Sequence, residues 1–253
     1  MSIRALVRRP GPRLAEGLVS HIARRPVDVG LAMVQWRAYG AALRAQGWEV
    51  IEVDPADDCP DSVFVEDPVV VYRDLAVLAR SGAPGRRAEV AGVAAAVTAA
   101  GYRVERIVEP GTLDGGDVLK IGATVYVGRG GRTNDAGVRQ LADHLASLGA
   151  TVVPVPVTKV LHLKSAVTAL PDGTVIGYPP LVDDPALFDD FLAVPEEPGS
   201  HVVLLGGDRV LLAASAGATA DLLTTIGLTP VTVDIGEFEK LEGCVTCLSV
   251  RLR

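Results

Sequence analysis

Two of the three cysteines of the chain lie three residues apart, in the C-terminal stretch EGCVTCLSVRLR, where they are Cys244 and Cys247. A C-x-x-C pair can be a redox dithiol, half of a zinc site, or a nucleophile with a neighbouring thiol. Each of these chemistries requires different partner residues. The rest of the sequence therefore discriminates among them.

A redox dithiol and a zinc site are both disfavoured. A thioredoxin-like C-x-x-C lies at a helix N-terminus, where backbone N–H groups lower the pKa of the thiol, whereas Cys247 precedes an alternating pattern typical of a strand. A structural zinc site needs four ligands, and neither Cys59 nor the four histidines supply a second close pair. Two interpretations remain: an inert buried pair, or one nucleophilic cysteine with a distant histidine and carboxylate.

Three motifs contain candidate partners for a nucleophile, with polar residues placed among apolar ones. Asp114 lies in LDGGDVL, His162 in LHLKS, and the motif PDSVFVED contains Asp61, Glu66 and Asp67. A histidine between leucines is commonly a packed core residue, and D-G-G-D is compatible with an ordinary turn. Each motif taken alone therefore has a structural explanation as well as a catalytic one.

A repeated unit of helix, glycine and strand would bring these motifs together. The segments AQGWEVIEVD, AAGYRVERIV, SLGATVVPVPV and TIGLTPVTVDI place Gly47, Gly101, Gly149 and Gly227 after helix-like stretches, which predicts left-handed residues past helix ends. Their spacings of 54, 48 and 78 residues indicate a period of roughly 40 to 50 if one unit, near DDPALFDDFLAV, has no glycine.

Five units of strand, turn, strand and helix would fill the chain. Repeats of this size cannot each bury a core, so they must stack or close into a ring. Closure removes exposed sheet edges and directs equivalent positions toward one axis. The sequence thus predicts an α/β fold in which Asp61, Asp114, His162 and Cys247 converge.

Composition restricts the class of protein and its partners. The 253 residues are 49% hydrophobic and can bury a large core as one domain or two tightly joined ones. The net charge of −7 disfavours a nucleic-acid partner and suits a cationic small molecule, although solubility alone explains an acidic surface. Without an apolar run of about 18 residues or a signal-peptide core, we expect a cytoplasmic protein with reduced thiols and no membrane partner.

Six motifs resemble, in order, those of the dimethylarginine dimethylaminohydrolases, members of the pentein or guanidine-modifying superfamily. They are PDSVFVED, SGAPGRRAEV, LDGGDVL, GRTNDAG, VLHLKS and TCLSV, and the resemblance extends from about residue 27 to residue 252. It implies a five-bladed β/α propeller with pseudo-fivefold symmetry, formed by a single catalytic domain over residues 1–253. It also implies conversion of Nω-methylated arginines to citrulline and a methylamine, without a metal or an organic cofactor.

The resemblance also assigns a catalytic triad. It makes Cys247 the nucleophile that forms an S-alkylthiouronium intermediate, His162 the general acid and base, and Asp114 the carboxylate that fixes the imidazole tautomer. The family varies at the position of Cys244, so no role falls to that residue. A free thiol of pKa about 8.5 is mostly protonated at neutral pH, so imidazolium or the bound substrate must favour the thiolate.

Three carboxylates match the guanidinium-binding residues of the family. They are Asp61, Glu66 and Asp67, and Asp67 is the most direct candidate. Neighbouring residues of a strand point to opposite faces, so Glu66 and Asp67 both reach the site only if the strand ends or bulges there. Pro68 favours such an end because it removes a ladder donor.

Arginines and an N-terminal segment match the remaining binding positions. Arg86 and Arg132 match residues that hold the α-carboxylate of the substrate, for which a guanidinium fork is well shaped, and Arg87 is a rival for the first role. The segment RRPGPRLAEGLVSH resembles the lid of the family. Either Leu14 or Leu18 would contact the ligand there.

Two other functions remain open from the sequence. An arginine deiminase, an amidinotransferase or another amidine hydrolase would use the same cysteine, histidine and carboxylate, although arginine deiminases carry a helical insertion that is absent here. A non-catalytic pentein, such as the ribosome anti-association factor, has no need for Cys247, His162 and Asp114 together. The sequence leaves open the preferred methylation state and the oligomeric state, with a homodimer among the options.

Overall fold

Fifteen short strands and six α-helices make up the part of the chain that the computed structural model describes, residues 3–252. The strands are β1 (Arg4–Val7), β2 (Glu49–Glu52), β3 (Val69–Tyr72), β4 (Leu75–Leu78), β5 (Arg103–Arg106), β6 (Val118–Ile121), β7 (Thr124–Arg129), β8 (Thr151–Pro156), β9 (Val167–Ala169), β10 (Val175–Gly177), β11 (Phe191–Ala193), β12 (Val203–Gly206), β13 (Arg209–Ala213), β14 (Thr229–Val233) and β15 (Val250–Leu252). The helices are α1 (Val29–Ala45), α2 (Val90–Ala99), α3 (Asp135–Ala146), α4 (Leu163–Ala166), α5 (Gly217–Thr225) and α6 (Gly236–Glu239).

The strands form five three-stranded sheets of one topology, β3-β4-β5, β6-β7-β8, β9-β10-β11, β12-β13-β14 and β15-β1-β2. In each sheet the middle strand pairs antiparallel with the first strand named and parallel with the third. The first strands surround a shared channel. This is the predicted five-bladed β/α propeller, and its last blade joins both ends of the chain through the pairing of Arg4 with Leu252.

The glycine pattern of the sequence marks the ends of four helices. Gly47, Gly101, Gly149 and Gly227 all have a positive φ, between 73° and 89°, as predicted for residues past a helix C-terminus. Each then leads into the outer strand of its blade. The repeat inferred from these glycines is therefore confirmed.

The blade formed by β9, β10 and β11 differs from the predicted unit because its crossover has no α-helix. The chain between β10 and β11 forms two 3-10 turns, Pro179–Leu181 and Pro185–Leu187. Prolines lack a backbone N–H and clash with the preceding helical turn, and Pro180 and Pro185 fall where a helix would run. This blade therefore lacks the helix-ending glycine of the others.

The core lies between the blades and the helices that cover them. Every residue of β3 and β4 is buried, and α3 buries Val138, Leu141 and Leu145 at helical spacing. Within the described residues no helix is long and apolar enough to cross a membrane. The predicted domain over residues 1–253 also includes Met1, Ser2 and Arg253, which lie outside the described residues.

A fully buried arginine ties together the loops that lead to the candidate site. Arg8 follows β1, and its guanidinium donates hydrogen bonds to the carbonyl oxygens of Asp54 (3.0 Å), Ser62 (3.2 Å) and Glu89 (2.8 Å). Burial lowers the pKa of Arg8. Three otherwise separate loops are therefore held by one side chain.

Candidate active site

Loops from several blades surround one small cavity that contains most of the predicted site residues. Seven of the nine line it: Leu18, Asp61, Asp67, Arg86, Arg132, His162 and Cys247. The other two, Asp114 and Glu66, lie outside the lining. The predicted convergence of distant polar motifs is thus observed, although their chemical roles stay predictions.

His162 and Asp114 form a buried hydrogen-bonded pair. Asp114 precedes the turn that starts β6, and His162 immediately precedes α4, so neighbouring blades contribute the two side chains. His162 Nε2 lies 3.1 Å from Asp114 Oδ2. A Cβ atom at Gly116 would lie 2.5 Å from His162 Nδ1, so only glycine permits this placement of the ring.

Electrostatics favour the charged form of both partners. Burial alone would lower the pKa of His162, but the charge of Asp67 and the hydrogen bond to Asp114 raise it to about 9. Burial alone would raise the pKa of Asp114, yet the hydrogen bond and charge of His162 hold it below its ordinary value. At neutral pH the pair is an imidazolium and a carboxylate, and it can supply a proton.

Asp117 supports His162 and was missed by the sequence interpretation. One carboxylate oxygen accepts the backbone N–H of Leu163 (2.9 Å), and the other accepts the hydroxyl of Thr133 (2.6 Å). Burial raises the pKa of Asp117 to about 6. In the sequence, Asp117 is marked only as the second aspartate of the D-G-G-D motif, and an ordinary turn explains that motif equally well.

Cys247 ends a tight turn that begins at Cys244, which we call the cysteine turn (residues 244–247). The amide of Cys247 donates to the carbonyl of Cys244 (3.1 Å), and the two Sγ atoms lie 3.3 Å apart. Both side chains are buried. The two thiols are therefore in contact, although only Cys247 lines the cavity.

The two thiols share one hydrogen bond, which sets their acidities. It lowers the pKa of Cys244 to about 5 and raises that of Cys247, which also faces the negative charges of Glu66 and Asp67. Without a ligand the thiolate is favoured at Cys244. A cation bound between Asp67 and Cys247 would reverse that preference, because it stabilises negative charge on Cys247.

A second buried network holds the cysteine turn in place. Tyr39 donates its hydroxyl to the carbonyl of Val245 (2.9 Å), and Arg251 donates to the carbonyl of Thr246 (2.8 Å). Arg251 is in turn bound by Glu66 Oε1 at 2.6 Å. The turn is thus fixed through its backbone by groups from distant parts of the chain.

Glu66 lies behind the cavity rather than in it. Its Oε1 atom is 2.5 Å from Lys164 Nζ, and its backbone N–H donates to the carbonyl of Cys247 (3.2 Å). The predicted contact of Glu66 with a substrate guanidinium is not supported by this placement and stays a prediction. Glu66 and Asp67 lie in the turn that precedes β3 rather than in a strand, and their side chains reach different partners, Lys164 for Glu66 and Arg86 for Asp67.

Asp67 and Arg86 form the most closely packed ion pair of the cavity. Arg86 Nη1 lies 2.6 Å from Asp67 Oδ2, and Nη2 of the same guanidinium lies 2.8 Å from Glu89 Oε2. Asp67 Oδ1 accepts the amide of Gly116 (2.9 Å) and is 3.9 Å from His162 Nδ1. Arg86 is therefore compensated by protein carboxylates, and its predicted binding of a substrate carboxylate stays a prediction.

Arg132 is the better placed of the predicted carboxylate-binding arginines. Its guanidinium lines the cavity and donates to Asp114 at 3.3 Å, and no carboxylate within residues 3–252 approaches it more closely. Arg87 instead donates to the carbonyl of Ser81 and does not line the cavity.

Leu18 rather than Leu14 reaches the cavity. Leu14 is fully buried in the core, whereas Leu18 is 46% exposed and lines the cavity. The amide of Leu18 donates to Asp61 at 3.0 Å, and burial raises the pKa of that carboxyl.

Glu242 holds residues 17–24, which overlap the C-terminal part of the predicted lid (residues 8–21) and which we call the lid segment; their role as a lid stays a prediction. The Glu242 carboxylate accepts the backbone N–H groups of Ser20 (3.0 Å), His21 and Ile22 (3.1 Å). Glu242 has a φ of 60°, which is uncommon for a residue other than glycine. A single carboxylate thus satisfies three consecutive amides of the lid segment.

Asp67, Asp114 and His162 could in principle hold a cation, because their ligand atoms lie within 4.8 Å of one another. However, the carboxylates already pair with Arg86 and Arg132, and the raised pKa of His162 keeps its ring protonated. A metal ligand must be the neutral imidazole. The cluster is therefore better described as an ion-pair network.

Comparison with solved structures defines the class. The N-terminal domain of a cyanobacterial arginine dihydrolase has the same fold at 21% identity, with a TM-score of 0.84 over 98% of this chain and 97% of that domain. A mutant of the Pseudomonas aeruginosa DDAH in complex with citrulline matches with a TM-score of 0.92 at 31% identity, over the whole of both chains. The protein is thus a pentein, a five-bladed propeller of the guanidine-modifying class.

Sequence relatives identify the family within this class. An N(G),N(G)-dimethylarginine dimethylaminohydrolase of Streptomyces coelicolor is 70% identical over 252 residues, which cover 100% of this chain and 98% of the relative. The Pseudomonas aeruginosa protein of the same name is 34% identical over 97% of this chain and 98% of its own. No family model matches the chain. The chain belongs to the dimethylarginine dimethylaminohydrolase family.

The His162–Asp114 pair predicts how stability depends on pH. Because folding raises the pKa of His162 from an unfolded value of about 6.5 to about 9, its contribution is fully present below pH 6.5 and lost as pH rises through 9. Asp114→Asn should lower the pKa of His162 and reduce this loss. Urea denaturation at about pH 6, 7.5 and 9.5 measures the free energy of unfolding of both proteins below, within and above this pH range. Equal pH dependence of both proteins would contradict the proposed ion pair.

The Glu242 contacts predict a local opening of the lid segment. Glu242→Gln removes the charge from three hydrogen bonds, each worth about 1.5 to 3 kcal/mol when charged, so amide exchange at residues 20–22 should accelerate roughly tenfold or more. Glu239→Gln is the matched control, because Glu239 binds the Ser215 hydroxyl instead. Hydrogen exchange followed by mass spectrometry measures the effect, and unchanged protection in Glu242→Gln would show that the lid is held by other contacts.

Proposed function

We propose that the chain hydrolyses Nω-methylated L-arginines to L-citrulline and a methylamine, with Cys247, His162 and Asp114 as its catalytic residues. The observation that carries the proposal is the single cavity in which Cys247, the His162 imidazolium and the Asp67 carboxylate meet. The family relatives and the citrulline complex of the Pseudomonas aeruginosa enzyme support the same reaction.

The first step uses Cys247 as the nucleophile. A guanidinium held by Asp67 stabilises the thiolate at Cys247, which attacks the guanidinium carbon and forms a C–S bond. The bond from that carbon to the methylated nitrogen breaks, and the His162 imidazolium gives its proton to the departing amine. An S-alkylthiouronium remains on Cys247.

The second step uses the neutral imidazole left by the first. His162 removes a proton from a water molecule, and the resulting hydroxide attacks the thiouronium carbon. The C–S bond breaks, the thiolate departs, and the hydroxyl group of the intermediate loses its proton to solvent, which gives citrulline. Asp114 holds the ring in one tautomer and stabilises the imidazolium each time it forms, because it accepts the Nε2 proton.

The α-amino-acid end of the substrate is recognised by cavity residues other than the catalytic triad and Asp67. Arg132 binds the α-carboxylate of the substrate, and Asp61 lies beneath the lid segment, where it accepts the backbone N–H of Leu18. Arg86 contributes mainly by orienting Asp67, since its charge is met by Asp67 and Glu89. The substrate is thus a small cationic molecule, and a single catalytic domain supplies all the residues proposed to contact it.

The experiment that tests the function compares asymmetric dimethylarginine, monomethylarginine, arginine and agmatine as substrates. The ureido product should form from the two methylated arginines, and agmatine, which has no α-carboxylate for Arg132, should react poorly. A preference for unmethylated arginine would identify a deiminase instead. No ureido product from any of the four would overturn the proposal.

Replacement of each cysteine of the turn should separate the nucleophile from its neighbour. Cys247→Ser should abolish turnover while ligand binding persists, because a serine hydroxyl ionises far less readily and is a poorer leaving group. Cys244→Ser should retain most activity. Steady-state rates and equilibrium titration measure the two effects. An essential Cys244 with a dispensable Cys247 would contradict the assignment.

Two carboxylates should give opposite kinetic signatures. Asp67→Asn should weaken binding and raise KM, because a buried guanidinium without a counterion is costly. Asp114→Asn should leave binding largely intact and lower kcat by roughly 10²-fold or more, since the amide cannot stabilise imidazolium.

Titration of a non-hydrolysable arginine analogue isolates the binding difference between these two variants when each also carries Cys247→Ser. If Asp114→Asn lost affinity and Asp67→Asn kept it, the roles of the two carboxylates would be exchanged.

A further inference from the structure

The cysteine turn brings two reduced thiols into contact at the candidate nucleophile. Cys244 and Cys247 are the first and last residues of a turn closed by the hydrogen bond between the Cys247 amide and the Cys244 carbonyl. The ends of a β-turn lie within about 7 Å at Cα, and disulfides join Cα atoms about 4.4 to 6.8 Å apart. The two sulfurs, at 3.3 Å, need to approach by only about 1.3 Å to reach the length of a disulfide bond.

The two cysteines differ in their access to small molecules. Cys247 lines the substrate cavity, whereas Cys244 lies behind it and is 3% exposed. The third cysteine, Cys59, has its sulfur 3.9 Å from the carbonyl of Gly85 and does not line the cavity. A small oxidant that enters the cavity therefore reaches Cys247, and the nearest thiol to the product is Cys244.

We propose that the cysteine turn is an oxidative modification site, at which a hydroperoxide converts Cys244 and Cys247 into an intramolecular disulfide that reversibly blocks the nucleophile. The loss of activity that this predicts rests on the proposed function, because it requires Cys247 to be the nucleophile. The formation of the disulfide itself does not.

The reaction takes place in two steps. In the first, the Cys247 thiol passes its proton to the neighbouring Cys244 thiolate and attacks the peroxide, an S–O bond forms and the O–O bond breaks. The departing oxygen takes up a proton and leaves as water when the oxidant is hydrogen peroxide, which yields a sulfenic acid at Cys247. In the second, Cys244 attacks the Cys247 sulfur, an S–S bond forms, the S–O bond breaks, and a second water leaves. The two thiols lose two electrons in total, and the peroxide gains them.

The surroundings of the turn favour the second step over further oxidation. The sulfur of Cys244 already lies 3.3 Å from that of Cys247, where the sulfenic acid forms, and the backbone of the turn is held by Tyr39 and Arg251. Closure then requires only side-chain rotation. Capture by Cys244 precedes oxidation to the sulfinic acid, which thiol reductants cannot reverse.

Treatment with hydrogen peroxide tests the proposal on the wild type, Cys244→Ser and the matched control Cys59→Ser. Each protein is assayed against its own untreated rate, before and after incubation with dithiothreitol. The wild type and Cys59→Ser should lose most of their activity and recover most of it on reduction. Cys244→Ser should lose activity without recovery, because its sulfenic acid has no neighbouring thiol and proceeds to the sulfinic acid.

Mass spectrometry of the peptide that contains both cysteines provides a readout that does not depend on turnover. The oxidised wild type should lose two hydrogen atoms, and Cys244→Ser should gain oxygen instead. Wild-type inactivation that persists after reduction, or a disulfide that involves Cys59, would overturn the proposal. If no guanidine substrate were turned over at all, the proposed function would fail, and the peptide mass would still decide whether the disulfide forms.

Discussion

The structure depends on the pairing of charges that are buried together at the centre of the propeller. Removal of an ion from water costs several kcal/mol unless an opposite charge and hydrogen bonds compensate for it. Two networks satisfy this condition, one of Asp67 with Arg86 and His162 with Asp114, and one of Glu66 with Lys164 and Arg251. Each links loops of different blades, so the geometry of the cavity is fixed by electrostatics as well as by packing.

The closure of the ring makes this arrangement possible. β15 at the C-terminus pairs with β1, and the carbonyl of Cys247 accepts the amide of Glu66 from the other end of the sequence. The candidate nucleophile Cys247 therefore shares a cavity with Asp67 only when the last blade is complete. In an open repeat array these residues would lie far apart, because each repeat contacts only its neighbours.

The sequence predicted the period of the blades and the convergence of the polar motifs, but not the contacts that several of these side chains make with distant residues. Left-handed glycines such as Gly47 are required by helix ends, and they revealed the period of the blades. The orientation of Glu66, the compensation of Arg86 and the support that Asp117 gives to His162 depend on residues far along the chain. Motif spacing carries no information about which buried charge meets which counterion.

The cysteine pair shows how the same sequence pattern acquires a different chemistry in a different backbone. In the described part of the chain a turn and then β15 follow Cys247, so a helix N-terminus does not stabilise a thiolate there as it does in a thioredoxin-like dithiol. A tight turn nevertheless places the two sulfurs closer than their separation in sequence requires. A thiolate that attacks a guanidinium carbon is also a good nucleophile toward peroxide oxygen, so access to substrate and exposure to oxidants arise from one property of Cys247. The position of Cys244 behind it determines which product that second reaction gives.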